Sequence, residues 1–201
     1  MDFITYSHQH AELVLNTPEI KPLYDELVEV ISGITDEDLI TEFNDGKSSK
    51  SISIALNKVL KKRLIEHGWV HEPAIFQDTE YQGNRWRLDF AKGPIAIEVA
   101  FNHGEAIPWN LLKPVLASQL NHVMKQYQAE VGIVICATDD LKKAGNFDNT
   151  VGEFEKFETY FKPLQNVLNA PILLMGLLPP KTFIIKDSKE GSKSIGSVER
   201  L

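Results

Sequence analysis

The most restrictive feature of the chain is a continuous apolar run, VGIVICAT, at residues 131–138. A run of this length is typical of a strand that is buried on both faces. A second such run, PILLMGLL, occupies residues 171–178. Residues 104–128 carry a wide apolar stripe at helical spacing, which predicts a long helix with a kink or restart at Pro114. A strand, a long helix and another strand in succession indicate a parallel crossover, so we predict an α/β fold with a central mixed β-sheet flanked by helices.

A β-hairpin is predicted over residues 85–103, because two β-prone runs lie on either side of Lys92-Gly93-Pro94. The second strand alternates, with one face formed by Ile95, Ile97, Val99 and Phe101 and the other by Ala96, Glu98 and Ala100. We therefore expect the first face to be buried and the second to be accessible. A turn at Lys92-Gly93 would place Asp89 opposite Ala96 and diagonal to Glu98. The hairpin is thus expected to hold two carboxylates side by side.

The rest of the chain is consistent with one domain over residues 1–201. Residues 6–34 are typical of two helices broken at Asn16-Thr17-Pro18, residues 34–50 of a polar loop, and residues 51–67 of a helix that closes at Gly68. Residues 139–152 predict a loop and residues 152–168 a further helix. Residues 181–201 are expected to form a C-terminal arm, with at most one edge strand, or a mobile tail.

Composition and charge restrict the function classes. The 201 residues carry a formal net charge of -7, which disfavours indiscriminate binding to nucleic acid but leaves specific binding open. The single cysteine, Cys136, excludes a disulfide framework, and no signal peptide or membrane-length apolar run is recognisable, so we expect a cytoplasmic protein without membrane contact. Glycine-rich phosphate loops, nucleophile elbows and zinc-ligand spacings are absent from the sequence.

The carboxylates of the hairpin are the strongest candidates for chemistry. Mg²⁺ prefers oxygen ligands, often one or two carboxylates with water and substrate phosphate, and Asp89 with Glu98 provides that minimum. The main-chain carbonyl of Val99 could add a further oxygen. A metal so held would support phosphodiester hydrolysis. Glu72 precedes Pro73, which favours an extended backbone, and its carboxylate could reach the same face; considered alone, it would be no more than a surface acid.

A cationic strip and a polar loop are candidates for contacts with DNA. Residues 47–64 contain five lysines, one arginine and no acidic residue, and we consider Lys47, Lys50 and Lys58 as phosphate contacts. A solvated helix face explains the same strip equally well. The loop at 139–152 is rich in side chains that can hydrogen-bond base edges, although a plain surface excursion has the same composition.

The spacing of Asp89 from Glu98, in the sequence IEVAF, resembles the PD-(D/E)xK nuclease core. More closely, the chain resembles the BglII/BstYI group of type II restriction endonucleases, which are distant relatives of BamHI. The blocks that carry this resemblance extend over residues 5–178 and are YSHQHAELVLN, ALNKVLKKRLIEHGW, LDFAKGPIAIEVAF, VGIVICAT and PILLMGLL.

This resemblance implies a restriction-endonuclease-like fold and site-specific hydrolysis of double-stranded DNA. It implies a homodimer that cuts a short palindrome, GATC-centred by family expectation, and leaves 5′-phosphates, with Mg²⁺ as cofactor and Mn²⁺ as a substitute. It assigns Asp89 and Glu98 to the metal and Glu72 to the catalytic site. It assigns recognition to two segments after strands, Asn102 and His103, and Asn146 through Thr150, with Asn149 and Thr150 as the closest matches. The helical stripe at 107–128 would then be partly a subunit interface.

Ala100 departs from the family pattern, because the third position of the motif usually carries lysine, or glutamine or glutamate in this group. A methyl group can neither orient nor deprotonate water. Three explanations remain open: a neighbour such as Glu72 or His103 takes the role, the substrate phosphate assists, or the site is silenced. The alternative functions are accordingly a weakened or inactive sequence-specific DNA-binding protein, and a repair or RNA-processing nuclease on the same fold.

Overall fold

The computed structural model describes residues 1–46, 49–119, 123–190 and 193–201. The strands are β1 (Phe3–His8), β2 (Val70–His71), β3 (Phe90–Lys92), β4 (Ile95–Val99), β5 (Val131–Ala137), β6 (Ile172–Leu177), β7 (Phe183–Glu190) and β8 (Lys193–Arg200). The α-helices are α1 (Ala11–Leu15), α2 (Lys21–Ser32), α3 (Asp36–Asp45), α4 (Ser53–Glu66), α5 (Ile107–Ser118), α6 (Asp139–Ala144) and α7 (Phe154–Phe161). Short 3₁₀ turns occupy Thr79–Tyr81, Asn84–Trp86 and Gly104–Ala106. None of the described helices is both long and apolar enough to cross a membrane.

The central sheet has six strands in the order β1-β6-β5-β4-β3-β2. Strands β4, β5 and β6 are parallel, whereas β1 pairs antiparallel with β6 and β3 pairs antiparallel with β4. Every residue of β5 and β6 is buried, which confirms the strands predicted from the two apolar runs. Helix α5 connects β4 to β5, so the predicted parallel crossover and the mixed sheet are also confirmed.

Helices cover both faces of this sheet. One face packs against α1–α4 through residues such as Ile97, Ile133 and Leu173. The other packs against α5 and α7 through residues such as Val134 and Leu174. The prediction that the Glu98 face of β4 is accessible is therefore wrong. The small side chains on that face allow close approach of α5 rather than exposure to water, and Glu98 is only 1% exposed.

Several elements differ from the sequence-based predictions because tertiary pairing or local capping overrides periodicity. The segment before Gln9 is strand β1, since it pairs with β6 at the sheet edge. The expected loop at 34–50 contains α3, which begins with a capping box in which Thr35 accepts a hydrogen bond from the Asp38 N–H and Asp38 accepts one from the Thr35 N–H. The predicted helix 51–67 is confirmed as α4, and Gly68 follows it in the left-handed region with φ 78°.

The remaining differences lie in the second half of the chain. The helix predicted over 104–128 ends at Ser118, because the residues around Lys125 pair with the segment at Ile75–Gln77 instead. The expected loop at 139–152 begins with α6, which is capped by Thr138. The helix predicted over 152–168 ends at Phe161. At the C-terminus, β7 and β8 pair with each other, where the sequence predicted an arm with at most one edge strand, or a mobile tail.

Candidate active site

The hairpin turn sets the register of the two carboxylates. Lys92 pairs with Ile95, so the loop is Gly93-Pro94, and Gly93 adopts φ 52°, a value that favours glycine. The loop has an even number of residues, as predicted, but it lies one residue later than Lys92-Gly93. The ladder pairs Ala91 with Ala96, so Asp89 does not lie opposite Ala96 as predicted. Instead, the Asp89 N–H donates to the Ile97 carbonyl at 3.2 Å, next to Glu98 in the chain. The charge of Asp89 acts on Glu98, so the two carboxylates lie close together at the end of the ladder.

Glu98 is held in an unusual electrostatic environment. Burial raises the pKa of Glu98 well above its usual range, and the neighbouring charge of Asp89 adds to the increase. The ammonium group of Lys113 on α5 forms an ion pair with Glu98 Oε2 and opposes this shift. The other oxygen, Oε1, is buried and has no hydrogen-bond partner among the described residues. A buried carboxylate oxygen without a partner is costly, so it indicates a place for an additional ligand.

Asp89 is positioned by the main chain of the neighbouring strand. The N–H of Val99 donates a hydrogen bond of 2.6 Å to Asp89 Oδ2, which fixes the carboxylate beside Glu98. Burial raises the pKa of Asp89, while the charge of Lys113 and the Val99 hydrogen bond act in the opposite direction. Burial and the nearby charge of Asp89 both raise the pKa of Glu98, so a cation bound between the two acids would remove a repulsion that exists in its absence.

Glu72 lies next to this pair, but not through the extended backbone that Pro73 predicts. Its φ is 50°, in the left-handed region that non-glycine residues rarely adopt. Its N–H donates to the Asp89 carbonyl at 2.9 Å and its own carbonyl accepts from Arg87 at 2.7 Å, so neighbouring contacts hold the strained conformation. The side chain is 63% exposed, with its carboxylate 3.9 Å from His71 Nε2. Backbone strain next to buried acids is a common property of functional sites.

A cleft of about 250 Å³ opens over Asp89. The residues that line it come from α4, the β2–β3 ribbon and the end of β4, and they are Asn57, Lys61, His71, Asp89, Phe90 and Val99. Lys61 gives this cleft a cationic rim that can contact a phosphate. The sequence analysis did not single out Lys61, although it lies within the cationic strip.

The predicted phosphate contacts have different surroundings. Lys58 is ion-paired with Glu42 of α3 at 2.9 Å and is absent from the residues lining the cleft. Lys50 is exposed, and its main-chain carbonyl accepts a hydrogen bond of 3.0 Å from Asn146 Nδ2. Lys47 falls outside the described residues. The cationic strip is thus partly neutralised by the acidic helix α3, while Lys50 and Lys61 lie beside the candidate site residues.

The two segments that were expected to read DNA lie together. His103 Nδ1 and Thr150 Oγ1 are 2.8 Å apart, and the Gly104 N–H donates to the Thr150 carbonyl at 2.7 Å. Asn149 and Thr150 are exposed, as are Asn102 and His103. The amide of Asn146 is already engaged, because it donates to Asp187 of β7 at 2.9 Å as well as to Lys50. The fold therefore forms one polar surface from these segments, anchored by Asn146.

The donor set fits a hard divalent cation. Among the described residues there is no group of three or more histidine, cysteine, aspartate or glutamate side chains spaced to hold a metal ion. Mg²⁺ is often held by only one or two carboxylates, with water and substrate phosphate completing its coordination. Asp89 and the Glu98 oxygen that has no partner among the described residues could provide the carboxylate ligands, and the carbonyl of Val99 stays a predicted third ligand.

Comparison with known proteins identifies the family. The family model described as restriction endonuclease BglII/BglIII matches residues 3–177. The chain belongs to this family. The fold is similar to that of a crystal structure of restriction endonuclease BglII complexed with a DNA 16-mer, with a TM-score of 0.71, 17% identity and 100% of both chains covered. A crystal structure of free BglII aligns with a TM-score of 0.60 and 18% identity, again over 100% of both chains. No curated protein matches the chain in a sequence comparison.

As a member of the BglII/BglIII family, the protein is a type II site-specific deoxyribonuclease with the restriction-endonuclease fold. Lys113 was not among the site residues predicted from the sequence. The sequence feature that points to it is its isolation: Lys113 is the only Asp, Glu, Lys or Arg residue between Glu105 and Lys125, within a segment predicted to be an apolar helix. A lone charge on such a helix requires a counter-charge if it is buried.

Proposed function

We propose that the protein hydrolyses both strands of double-stranded DNA at a short palindromic site, with Mg²⁺ as cofactor, and leaves 5′-phosphates. The observation that carries this proposal is the proximity of Asp89 to Glu98, whose buried Oε1 has no partner among the described residues, beside a cleft rimmed by Lys61. This arrangement suits a cation and a phosphodiester at the same place.

Asp89, Glu98 and the carbonyl of Val99 would hold the Mg²⁺ ion. When bound, the ion polarises the phosphoryl group, lowers the pKa of the attacking water and stabilises the leaving oxygen. The protein fixes the ligands beforehand, because the Val99 N–H holds Asp89 and the Lys113 ammonium holds one oxygen of Glu98. Mn²⁺, which also accepts oxygen ligands, is expected to substitute.

The side chains around the carboxylates would place the substrate. Lys61 on the cleft rim, and Lys50 further along, are suited to contact phosphates. Glu72 extends from its strained backbone beside Asp89 and can accept a proton or a hydrogen bond from water near the phosphate. These roles need no movement of the rigid sheet on which the two acids lie.

Sequence reading is assigned to the surface formed by Asn102, His103, Asn149 and Thr150. Asparagine can make paired hydrogen bonds to adenine in the major groove, so these exposed side chains suit a site with GATC at its centre. Asn146 would position the loop rather than read a base, since its amide is occupied by Asp187 and the Lys50 carbonyl. A homodimer follows from a palindromic site, because two-fold symmetry in the DNA is matched by two-fold symmetry in the protein.

The decisive experiment is digestion of several DNAs of known sequence by the purified protein in Mg²⁺, followed by mapping of the fragment ends. We expect discrete fragments, one palindromic sequence at every cut and 5′-phosphate termini. Fragments without a shared symmetric sequence would instead favour a repair-type or RNA-processing nuclease.

One observation favours an alternative function, that of an inactive DNA-binding protein. Ala100 provides no polar group at the third motif position, which is the expected state of an inactive DNA-binding protein on this fold. That protein would bind one DNA sequence tightly in Ca²⁺ yet leave it uncut in both Mg²⁺ and Mn²⁺. A binding assay run on the same DNAs as the digestion distinguishes the two functions.

A further inference from the structure

The surroundings of Ala100 explain why this position carries a methyl group. Ala100 is 1% exposed and belongs to a buried cluster with Ile107 and Leu111 of helix α5. A longer side chain would have to displace the helix, because close-packed interiors leave no space for additional atoms. The helix thus occupies the place where the third motif side chain would extend.

The same helix brings a cation to the carboxylates from another direction. The side chain of Lys113 is 12% exposed, its ammonium pairs with Glu98 Oε2, and it donates to the Arg87 carbonyl at 3.2 Å. Its charge acts on Asp89 as well as on Glu98. Lys113 is therefore close enough to influence both acids of the candidate metal site.

From these contacts we propose that Lys113, on α5, supplies the cationic group that Ala100 cannot supply, and that it acts as a positioning residue through Glu98. The inference rests on the proposed function, because it concerns the same carboxylates. By holding Oε2, Lys113 leaves Oε1 as the oxygen directed to an incoming ligand. It also places a fixed positive charge beside the position of the scissile phosphate.

The geometry distinguishes this role from that of an ordinary structural ion pair. Buried ion pairs add little stability relative to apolar side chains of similar volume, and they are costly unless every polar atom is satisfied. Here one carboxylate oxygen is satisfied and the other has no partner among the described residues. An ion pair left incomplete on one side, next to a second, half-buried carboxylate, is expected where a ligand completes it.

The first test compares wild type, K113M and the matched control K92M. Lys92 also forms a partly buried ion pair, with Glu26, but it lies at the far end of the hairpin. We expect K113M to reduce the single-turnover cleavage rate in Mg²⁺ by roughly 100-fold, the upper end of the range for residues that orient a metal ligand, and K92M to retain the wild-type rate. DNA affinity in Ca²⁺ should stay within about threefold in both variants.

Metal binding provides a readout that is independent of cleavage. Calorimetric titration with Mn²⁺ alone should show weaker binding by K113M than by wild type, because Glu98 loses the contact that fixes its orientation. K92M should bind the ion as wild type does. Unchanged or tighter Mn²⁺ binding by folded K113M would contradict the positioning role.

A chemical variant separates charge from packing. In K113C the introduced thiol is the one accessible target, since Cys136, the only native cysteine, is fully buried. Alkylation with 2-bromoethylamine restores an ammonium group on a side chain of lysine length, whereas iodoacetamide adds a neutral group. We expect the first product to recover cleavage to within about tenfold of wild type and the second to remain as slow as K113M. Wild-type protein treated in parallel is the control, and circular dichroism verifies folding of each product.

Two outcomes would overturn the inference while leaving the proposed function intact. One is cleavage by folded K113M within about threefold of the wild-type rate. The other is equal activity of the aminoethyl and carbamidomethyl products of K113C. Wild-type protein that leaves all DNAs uncut would contradict the proposed function itself, and the role of Lys113 with it.

Discussion

At the scale of single residues, the carboxylate pair carries an unbalanced electrostatic cost. Burial raises the pKa of Glu98, and the nearby charge of Asp89 raises it further. Within the part of the chain that the structure describes, only one of the two Glu98 oxygens has a partner. Natural proteins keep such arrangements where binding or catalysis requires them, since apolar substitutes would be more stable.

Replacement of either acid should therefore separate cleavage from binding. We expect Asp89→Asn and Glu98→Gln each to abolish detectable cleavage in Mg²⁺, because each removes a metal ligand. DNA binding should be retained or tightened, since a negative charge near the phosphates is lost. Plasmid digestion and a fluorescence-anisotropy titration measure the two properties. Asp25→Asn, an exposed acid paired with Lys21, is the control, and unchanged cleavage by Asp89→Asn would refute the assignment of the site.

At the scale of elements, the contact between α5 and the sheet determines where the site chemistry lies. Pro114, inside α5, lies directly on Gly132 of β5, where a Cβ atom would overlap the proline ring. This contact explains two sequence features at once, the proline within a helix and the glycine within a buried strand. Because Lys113 is the neighbour of Pro114, this contact also fixes the distance of Lys113 from Glu98.

Gly132→Ala tests this contact. The added methyl group must push α5 away from the sheet, so we expect a loss of about 1–3 kcal/mol in the free energy of unfolding. Cleavage should fall as well, because Lys113 moves with the helix. Gly83→Ala is the matched control, since a Cβ atom there would meet nothing within 4 Å. Equal urea midpoints for the two variants would show that the stability of the fold does not depend on the close approach of α5 to β5.

The attachment of the hairpin to α2 provides a pH-dependent test. Burial opposes ionisation of Glu26, but hydrogen bonds from Lys92 and Trp69 outweigh it and lower the pKa of Glu26. A carboxyl whose pKa is lower in the folded state stabilises the protein above its unfolded-state pKa, and this stabilisation is lost as the pH falls through the folded-state value.

Glu26→Gln should accordingly cost roughly 1 kcal/mol near neutral pH, the range of a partly exposed ion pair. The difference from wild type should shrink in acid, as the pH falls from the unfolded-state value of 4.5 through the lower folded-state value and wild-type Glu26 becomes protonated too. Urea unfolding near neutral pH and in acid measures it. A cost that is the same under both conditions would mean that packing, and not charge, attaches the hairpin to α2.

At the scale of the whole molecule, the open question is assembly. The proposed cutting of both strands at a palindrome requires two sites related by two-fold symmetry. The apolar stripe at 107–128, which was expected to be partly a subunit interface, contains both buried and exposed residues. Leu111 and Val115 are buried within the chain, whereas Met124 is 67% exposed on the extended segment that follows α5. An exposed methionine of this kind is a suitable contact for a second subunit.

Sedimentation should therefore give twice the 22.7 kDa chain mass for wild type. Met124→Arg should shift the protein to monomer and convert double-strand cutting into slow nicking of supercoiled plasmid, since a charge at the centre of an interface is unfavourable. Leu13→Arg is the control, because Leu13 is also exposed, at 70%, but lies on α1. A wild-type monomer that linearises plasmid would contradict the dimer.

The sequence by itself determined the central strands, the parallel crossover, the helix predicted at 51–67 and the parity of the hairpin, because these depend on periodicity and on local turn chemistry. It also determined the family, through the order and spacing of sequence blocks over most of the chain. Strand β1, the end of α5 at Ser118 and the pairing of β7 with β8 depended on partners distant in sequence, which periodicity does not report.

Only the tertiary structure decided what surrounds the two acids. An alternation of small and acidic residues appears the same in sequence whether water or a helix covers that face, so Glu98 was expected to be accessible and is buried instead. The identity of the covering helix then brought Lys113 to Glu98 from 15 residues further along the chain. The missing side chain at Ala100 and the lone lysine of α5 are explained together only by the packing of that helix on the sheet.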